Sequence, residues 1–458
     1  MNSLSGHMKD WQRCGWSAIA KLSCAQGREL FQMKKRLTEL LMLLFACFVL
    51  CVVSSAQGNG KDGHWVSVWG ASEYAPIKFG PFPQESALVD KTIRMVVRTS
   101  IGGNRLRIRL SNAFGTSALA VGAAHVALTG EGSKILPGSD HVLTFGGRPN
   151  VDIPAGAPAI SDPIDLAVKP LAEISVSIYL PASTAVTEWH RGAQHDSYIA
   201  GPGDLTSKPE LPDSEVKAAW YFLASVEMWE PETTTSIVAF GDSITEGSNN
   251  PKSPYSDYPD QLAKRLSGAQ AKAPMAVINE GIGGNRILHD AAGTSALTRF
   301  DRDVLSHPGV SNLIVLLGIN DIGFPRIRMS ELKIPNVGAN PFATQKVSAE
   351  EMIWGLQQII ARGHEHGMRV FGATMMPFEG TNSYDAEGDV IRQAVNKWIR
   401  TANAFDRVFD FDELVRDPEH PSRLRGEYDS GDHIHPNPAG YKAMAESIPV
   451  SVLKGTAK

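Results

Sequence analysis

Ser243 stands where an apolar run of the sequence ends, in the segment Gly241-Asp-Ser-Ile244. The run before it, Ile237–Phe240, is typical of a buried parallel strand. Open α/β sheets place their sites beyond the carboxyl ends of such strands, so a serine at this position could act as a nucleophile. Gly-Asp-Ser is also an ordinary turn sequence. The assignment of Ser243 therefore depends on which residues follow the neighbouring strands.

Four further residues could, together with Ser243, catalyse acyl transfer. Gly284 follows the second apolar run of this region, Asn320 follows the third, and Asp432 and His435 precede a C-terminal helical pattern. Acyl transfer needs a nucleophile, a base, a group that orients the base, and donors for the oxyanion. Ser243, His435 and Asp432 would supply the first three. The amides of Ser243 and Gly284 and the side chain of Asn320 would supply the donors.

Particular residues argue against other chemistries. The chain has no Gly-x-Ser-x-Gly sequence, so the nucleophile elbow of α/β-hydrolases is absent. A hint of a dinucleotide fingerprint after Gly281 ends in Arg286 where glycine is required. His364-Glu-His366 has no helical partner four residues away, and His433 has no second acid–histidine cluster nearby, so a zinc site is disfavoured. We therefore predict neither a metal nor a cofactor.

The residues from 64 to about 230 alternate with period two. Thr92–Ser100 and Arg105–Leu110 flank a Gly-Gly-Asn segment and predict a β-hairpin with one solvated face. Further strand-like runs are separated by Gly, Pro, Asn and Asp, which predicts an antiparallel β-sandwich domain over 64–230; they are Ala123–Thr129, His141–Phe145, Glu173–Leu180 and Ser197–Ala200.

Charged side chains of this region allow two interpretations. The arginine stripe is either a binding face or, as we prefer, a solvated sheet face paired with acids; it comprises Arg94, Arg98, Arg105, Arg107 and Arg109. His190 and His195 are interpreted as structural or rim residues rather than ligands.

Strands alternate with helical patterns from 236 to 455, which predicts a parallel sheet with crossover helices. The predicted strands are Ile237–Phe240, Ala276–Asn279, Leu313–Leu317, Val370–Met375 and Val408–Phe411, and the predicted helices are Tyr258–Leu266, Ala349–His366 and Val390–Ala402. Ser348 and Glu351 form a capping box for the second of these helices. The stretch Ile322–Gln345 is predicted to be a long functional loop. Asp242 and Asp321 are interpreted as acceptors that brace loops.

The amino-acid composition of the chain limits which binding partners are expected. The chain has 458 residues, of which 43% are hydrophobic and 20% charged, with a formal charge of −5. This composition is typical of soluble globular proteins, and the length suffices for two or three domains. Nothing is strongly basic, so a nucleic-acid partner is not expected.

Residues 33–56 resemble an export signal, whereas the 32 residues before them form an N-terminal extension that has no place in one. Met33-Lys-Lys-Arg36 is positively charged, Leu40–Val53 is apolar, and Ser54-Ser-Ala56 is a small-residue cleavage site. This order predicts a secretory signal peptide cleaved after Ala56, with the true start at Met33. A membrane anchor is less favoured because the apolar run is short for a span. A lipoprotein modified at Cys47 is less favoured because that run continues beyond it.

Cleavage after Ala56 would change both charge and cysteine content. All four cysteines precede the cut; they are Cys14, Cys24, Cys47 and Cys51. The mature chain would carry 37 basic and 46 acidic side chains, because the removed segment holds seven and three of the two kinds. We expect a secreted or periplasmic protein without disulfides and without stable membrane insertion.

Four blocks of the sequence resemble the SGNH, or GDSL-type, hydrolases. Gly241–Gly247 is similar to the first block of that family, Gly284 corresponds to its oxyanion glycine, and Asn320 to its asparagine. Asp432 and His435 match its Asp-x-x-His motif. The resemblance covers about 236–450 and implies a three-layer α/β/α fold and ester hydrolysis without a metal.

A weaker likeness extends upstream. Trp65–Ser72 and Arg105–Gly115 resemble the sandwich that precedes the catalytic domain in a branch of secreted carbohydrate-esterase relatives. The expected function is a secreted serine esterase that removes acetyl groups from polysaccharide or oligosaccharide. A lipase or short-chain acylhydrolase is one alternative, and a non-catalytic glycan binder or acyltransferase is another. The sequence leaves the ester substrate and the oligomeric state open.

Overall fold

A computed structural model describes residues 63–76, 85–193, 195–248, 254–267, 274–332 and 338–454. These residues pack as one compact unit. The predicted signal peptide, its cleavage site and the four cysteines lie outside the described residues. In the described part of the chain, no helix is long and apolar enough to cross a membrane.

The first fifteen strands are antiparallel. They are β1 (His64–Gly70), β2 (Lys91–Arg98), β3 (Gly103–Ser111), β4 (Leu119–Val121), β5 (Ala123–Leu128), β6 (His141–Val142), β7 (Val151–Ile153), β8 (Pro158–Ile160), β9 (Ile164–Val168), β10 (Glu173–Leu180), β11 (His190–Arg191), β12 (Ser197–Ala200), β13 (Glu215–Lys217), β14 (Ala219–Trp220) and β15 (Leu223–Glu230). One sheet has the order β1-β15-β3-β8, with β9 also paired to β3, and the other has the order β13-β12-β2-β10-β5-β6. Two small pairs, β11-β14 and β4-β7, complete the β-rich domain.

A single apolar core lies between the two large sheets. Val66, Ile108 and Val226 of the first sheet belong to the same buried cluster as Met95 and Ile178 of the second. Alternate residues of each strand supply this core, as the period-two pattern predicts.

The predicted hairpin between β2 and β3 is wrong. The two strands belong to different sheets: β2 pairs with β10 and β12, whereas β3 pairs with β15, β8 and β9. The chain passes from one sheet to the other near Ser100, whose N–H donates to the Val68 carbonyl of β1 at 2.9 Å. A local Gly-Gly-Asn segment suits either connection, and the pairing is decided by strands distant in sequence.

The interpretation of the arginine stripe as a solvated sheet face is also wrong for some of its members. Arg94 is fully buried and donates to the Ser133 carbonyl at 2.6 Å and to the Lys208 carbonyl at 2.8 Å. Arg107 and Arg109 lie in the other sheet and pair with the buried carboxylate of Glu227 at 2.6 and 2.8 Å. The stripe is therefore not one solvated face, because its members are divided between two sheets.

The second part of the chain is built on a parallel sheet. Its strands are β16 (Thr235–Gly241), β17 (Met275–Gly281), β18 (Val310–Leu316), β19 (Arg369–Ala373) and β20 (Arg407–Phe409), in the order β17-β16-β18-β19-β20. Its helices are α1 (Ser243–Glu246), α2 (Tyr258–Leu266), α3 (Ala296–Phe300), α4 (Ile319–Gly323), α5 (Ala349–Glu365), α6 (Ala386–Thr401), α7 (Phe411–Val415), α8 (Pro438–Ser447) and α9 (Val450–Leu453). The predicted fold class, a parallel α/β/α domain preceded by an antiparallel β-rich domain, is confirmed.

Helices cover the parallel sheet in two groups. Helix α2 packs on β17 and α8, and α5 packs on β19 and α6. The predicted capping box of α5 is present, since the Glu351 N–H donates to Ser348 Oγ at 3.2 Å and the Ser348 N–H donates to Glu351 Oε2 at 2.8 Å. Helix α6 begins four residues before its predicted start because Asp385 caps it.

Two other predicted boundaries differ from the structure. The fifth parallel strand ends at Phe409, and Phe411 already begins helix α7. The segment predicted to be an irregular loop, Ile322–Gln345, begins inside α4 and contains the short 3₁₀ turns Phe324–Arg326 and Met329–Glu331.

The β-rich domain packs against the edge strand β17. The Val277 N–H of this strand donates to Ser100 Oγ at 3.0 Å, and Ala276 belongs to the apolar core of the sandwich. Arg98 and Asp260 of α2 form an ion pair at 2.5 Å across the same junction. Buried apolar and polar contacts therefore join the β-rich domain to β17, the strand that pairs with β16.

Candidate active site

Ser243 lies at the first position of α1, immediately after β16 ends. Asp242 caps this helix, because its Oδ1 accepts from the Ile244 N–H at 3.0 Å. The Ser243 N–H is one of the first-turn groups that have no partner within the helix. The side chain is 8% exposed. The strand and the cap together hold the hydroxyl at the carboxyl end of the sheet, as its sequence position predicts.

Ser243, His435 and Asp432 form one chain of hydrogen bonds. His435 Nε2 lies 2.8 Å from Ser243 Oγ, and His435 Nδ1 lies 2.6 Å from Asp432 Oδ2. Asp432 Oδ1 accepts from the backbone N–H groups of His435 at 2.9 Å and Ile434 at 3.1 Å. A carboxylate at Nδ1 places the lone pair of a neutral imidazole on Nε2, where it faces the serine hydroxyl.

The charge of Asp432 is stabilised by this arrangement. Partial burial raises the pKa of its carboxyl group. The hydrogen bond and charge of His435, together with the two backbone N–H groups, outweigh burial and hold the pKa well below its usual range. Asp432 is therefore ionised at neutral pH.

Gly284 occupies a position that only glycine suits. Its φ angle is +78°, and a Cβ atom there would lie 3.0 Å from Cζ of Phe324. Within the part of the chain that the structure describes, no acceptor is hydrogen-bonded to the Gly284 N–H. This N–H is thus available to a ligand.

Asn320 is fixed beside the Gly284 loop. It lies in the first turn of α4, and its Nδ2 donates to the carbonyl oxygen of Asn285 at 3.1 Å. The loop is tied in turn to the nucleophile strand, since the Ile282 N–H donates to the Gly241 carbonyl at 3.2 Å. The structure therefore joins the two loops that carry Gly284 and Asn320 to the end of β16.

Asp242 and Asp321 brace loops, as interpreted from the sequence. Asp321 accepts from the N–H groups of Ile287 and Leu288 at 2.7 and 3.1 Å. Burial raises the pKa of Asp242 to about 7 and that of Asp321 to about 6, although backbone donors partly offset it.

A cavity of about 480 Å³ opens beside Asn320 and Asp432. Its polar wall contains Thr381, Asn382 and Ser383, and its apolar wall includes Phe324 and Ile327. It offers space and both kinds of contact for a group attached to an ester.

The other histidines singled out from the sequence take part in local contacts. His433 is exposed, and its Nδ1 lies 2.7 Å from Asp429 Oδ2. His364 pairs with Asp406 at 2.8 Å near the end of α5. His195 stacks on Tyr255, with 4.0 Å between ring centroids. Among the described residues, no group of three or more His, Cys, Asp or Glu side chains could hold a metal ion.

Arg299 is buried, and its role was not predicted from the sequence. Its Nη2 donates to the Gly241 carbonyl at 2.8 Å, its Nε donates to Asn285 Oδ1 at 3.0 Å, and its Nη1 donates to Ser72 Oγ at 2.7 Å. One guanidinium thus connects the nucleophile strand, the loop after Gly284 and the β-rich domain. An arginine within a short helical pattern gives no sequence signal of this role.

Part of the chain is similar to a known protein family. Residues 239–443 match the GDSL-like lipase/acylhydrolase family. This segment, somewhat less than half of the chain, is similar to the GDSL-like hydrolases. It contains Ser243, Gly284, Asn320, Asp432 and His435. No curated protein matches the chain.

Several solved structures are similar to the GDSL-like domain. A GDSL-like lipase from Bacteroides thetaiotaomicron has 18% identity and a TM-score of 0.34, over 48% of this chain and 88% of that chain. An acetylxylan esterase from Geobacillus stearothermophilus has 18% identity and a TM-score of 0.35, over 46% of this chain and 91% of that chain. A carbohydrate acetylesterase from Sinorhizobium meliloti has 16% identity and a TM-score of 0.36, over 48% and 98% of the two chains.

Proposed function

We propose that this protein is a serine esterase that hydrolyses carboxylic esters, acetyl esters first among them. The observation that carries the proposal is the hydrogen-bonded chain from Ser243 Oγ through His435 to Asp432, with distances of 2.8 and 2.6 Å. A serine hydroxyl is a weak nucleophile unless a base removes its proton, and this chain supplies the base together with its orienting carboxylate.

The reaction would proceed through an acyl-enzyme. Ser243 Oγ attacks the ester carbonyl carbon while its proton moves to His435 Nε2, and the carbonyl oxygen becomes an oxyanion. The N–H groups of Ser243 and Gly284 and the Asn320 amide would donate to that oxygen. Collapse expels the alcohol, which takes the proton from His435. Water, deprotonated by His435, then releases the carboxylic acid and regenerates the serine.

The polar wall of the cavity supports a carbohydrate as the alcohol part of the substrate. Thr381, Asn382 and Ser383 present hydroxyl and amide groups next to Asn320. Groups of these types form hydrogen bonds with sugar hydroxyls, whereas an alkyl chain would offer them none. Acetylated polysaccharide or oligosaccharide is the substrate class that we propose.

The apolar wall of the same cavity favours a second candidate. Phe324, Ile327 and Ile434 line it and could contact a short acyl chain, as in a lipase or short-chain acylhydrolase. An acyltransferase would use the same acyl-enzyme with an alcohol in place of water. The complete serine–histidine–aspartate chain argues against a purely glycan-binding role.

Substitution of the nucleophile tests the proposal. Ser243→Ala should lower kcat for p-nitrophenyl acetate by at least about 10³-fold, because loss of one triad member normally costs several orders of magnitude. Ser447→Ala, at the end of α8, is the matched control and should retain full activity. Labelling by a fluorophosphonate should occur in the unmodified protein and disappear only in the Ser243 variant. Hydrolysis that persists above a tenth of the original kcat in Ser243→Ala would rule out this nucleophile.

A further inference from the structure

The loop after β17, residues 282–286, carries Gly284, and we call it the oxyanion loop. Glu246, the last residue of helix α1, contacts this loop. Its Oε1 accepts from the Gly283 N–H at 3.1 Å, and its Oε2 accepts from Ser248 Oγ at 2.6 Å. Gly283 directly precedes Gly284, whose N–H is the proposed oxyanion donor. A Cβ atom on Gly283 would lie 2.8 Å from Glu246 Oε2, so this carboxylate lies directly against the loop.

His190 of the β-rich domain reaches the same carboxylate. Its Nε2 lies 3.3 Å from Glu246 Oε1, and both side chains are buried, with 4% and 8% of their surface exposed. Its Nδ1 lies 2.8 Å from the carbonyl oxygen of Ser72. The ring is enclosed by Tyr74 and Trp220, with centroids 5.9 and 5.5 Å away. The sandwich therefore holds this imidazole in one orientation.

The surroundings of His190 favour its cationic form. The Ser72 carbonyl oxygen can only accept a hydrogen bond, and a carboxylate faces the other ring nitrogen, so a ring with hydrogen on both nitrogens can donate to both. Burial alone would lower the pKa of His190. The hydrogen bond and charge of Glu246 and the Ser72 carbonyl outweigh burial and raise the pKa above its usual value.

We propose that His190 and Glu246 are positioning residues of the oxyanion hole, through which the β-rich domain orients the Gly283–Gly284 peptide. The proposal rests on the esterase function proposed above. Neither side chain touches the reacting atoms. Glu246 fixes the N–H of Gly283, and His190 fixes and neutralises Glu246.

Loss of His190 would affect the loop for an electrostatic reason. Glu246 would lose the hydrogen bond and the charge of His190, and a buried carboxylate that loses such a partner becomes protonated or reorients toward its remaining donors. Ser248 is one such donor, so the carboxylate would be drawn away from the Gly283 N–H. The Gly284 donor would then no longer be preorganised, and the rate of the chemical step would fall while substrate binding persisted.

The same junction contains a matched control. His307 Nε2 pairs with the buried Glu280 Oε1 at 2.8 Å, and its Nδ1 lies 3.0 Å from Ser67 Oγ of the β-rich domain. This is also a buried histidine–glutamate pair across the domain junction. The carboxylate of Glu280 bonds to Ser72 rather than to the loop backbone. In His307→Gln the side-chain amide can still donate to Glu280, so the Glu280–Ser72 contact should persist and the oxyanion loop should stay in place.

The test compares His190→Ala, His190→Gln and Glu246→Ala with His307→Gln. With p-nitrophenyl acetate, we expect His190→Ala and Glu246→Ala to lower kcat by 10- to 100-fold with KM within about twofold. We expect His190→Gln, whose amide still donates to Glu246, to recover part of this loss. His307→Gln should keep kcat within twofold, and His190→Ala combined with Glu246→Ala should be no worse than the single changes.

Amide hydrogen exchange supplies a readout that does not depend on activity. A peptide spanning 281–286 should exchange at least about tenfold faster in His190→Ala than in the unmodified protein, and unchanged in His307→Gln. His190→Gln, as the milder change, provides this measurement if His190→Ala does not fold. Unchanged exchange together with unchanged kcat in the His190 variants would overturn the proposal. If the unmodified protein hydrolyses no ester, the proposed function fails, and the exchange result still decides the positioning role.

Discussion

The side-chain amide of Asn320, in the first turn of α4, donates to the carbonyl oxygen of Asn285 at 3.1 Å, in a buried contact between residues 35 positions apart. Asn285 is itself fixed, because its Nδ2 donates to the Thr294 carbonyl at 2.8 Å and its Oδ1 accepts from Arg299. Asn320 Nδ2 carries two hydrogens. One anchors the side chain, and the second remains to donate to an oxyanion.

Removal of this donor should act on the chemical step. Asn320→Ala should lower kcat by roughly 10²–10³ with KM nearly unchanged, as for other single oxyanion donors. Asn320→Asp should be at least as inactive, since an ionised carboxylate donates no hydrogen bond and repels the oxyanion. Initial rates over a range of p-nitrophenyl acetate concentrations give both constants.

The control for this prediction is another buried asparagine. Asn312 lies near the start of β18, and its Nδ2 donates to the Leu453 carbonyl at 3.1 Å. Asn312→Ala should lower the melting temperature and leave kcat unchanged. A rise in KM alone for Asn320→Ala would assign Asn320 to substrate binding instead.

The sequence predicted the side chains that the structure joins in one hydrogen-bonded chain, which are Ser243, His435 and Asp432. Ser243, Gly284 and Asn320 each follow a parallel strand, and the carboxyl ends of parallel strands meet at one edge of the sheet. Asp432 and His435 could be added because their spacing of three residues allows both to face the same point. These predictions depended on local patterns and on the geometry of one sheet.

The features that were missed depend on contacts between distant segments. Whether Thr92–Ser100 and Arg105–Leu110 formed a hairpin was decided by β10 and β15, which lie far along the chain. Arg94 is buried because the segments around Ser133 and Thr206 cover it. The positions of Arg299 and Glu246 also depend on how the β-rich domain packs on β17. Periodicity contains no information about such packing.

The unfolding free energy should depend on pH through Asp242. Its pKa is raised by burial to about 7 in the folded protein, compared with 3.8 in the unfolded chain. The folded state therefore binds more protons between pH 4 and 7, and stability falls as pH rises through this window. Asp242→Asn removes the ionisation and retains a side-chain oxygen for the Ile244 N–H.

Chemical unfolding at several pH values tests this relation. The variant and the unmodified protein should have similar stability below pH 4, and the variant should be more stable at pH 8 by about 4 kcal/mol at most. Asp152→Asn, on an exposed position of β7, should produce no such divergence. Equal pH profiles for Asp242→Asn and the unmodified protein would contradict a raised pKa at this site.

Export remains a proposal that rests on the N-terminal sequence. Expressed in a bacterium from Met33, the protein should appear outside the cytoplasm with Gln57 as its first residue. N-terminal sequencing and mass spectrometry of the extracytoplasmic fraction provide the measurement. Arg36→Glu with Lys35→Glu, which reverses charge before the apolar run, should reduce export. An uncleaved chain, or a lipid on Cys47, would exclude the predicted cleavage.

The cavity beside Asn320 should discriminate between large and small substrates. Ile327 lies on its wall, in the segment Ile322–Gln345, and is partly exposed. Ile327→Trp would fill part of the space without altering any group that we assign to the chemistry. Contacts remote from the reacting bond position a large substrate but have nothing to hold on a small one.

We therefore expect Ile327→Trp to lower kcat/KM on acetylated xylan fragments by at least about tenfold and to leave kcat/KM on p-nitrophenyl acetate within twofold. Ile327→Leu, which conserves volume, should change neither value. Equal losses on both substrates, with an unchanged circular dichroism spectrum, would mean that Ile327 supports Asn320 through helix α4 and does not border a substrate channel. The short-chain acylhydrolase would be favoured instead if the unmodified protein hydrolysed butyrate esters faster than acetate esters and if Ile327→Trp had no effect on activity toward the polymer.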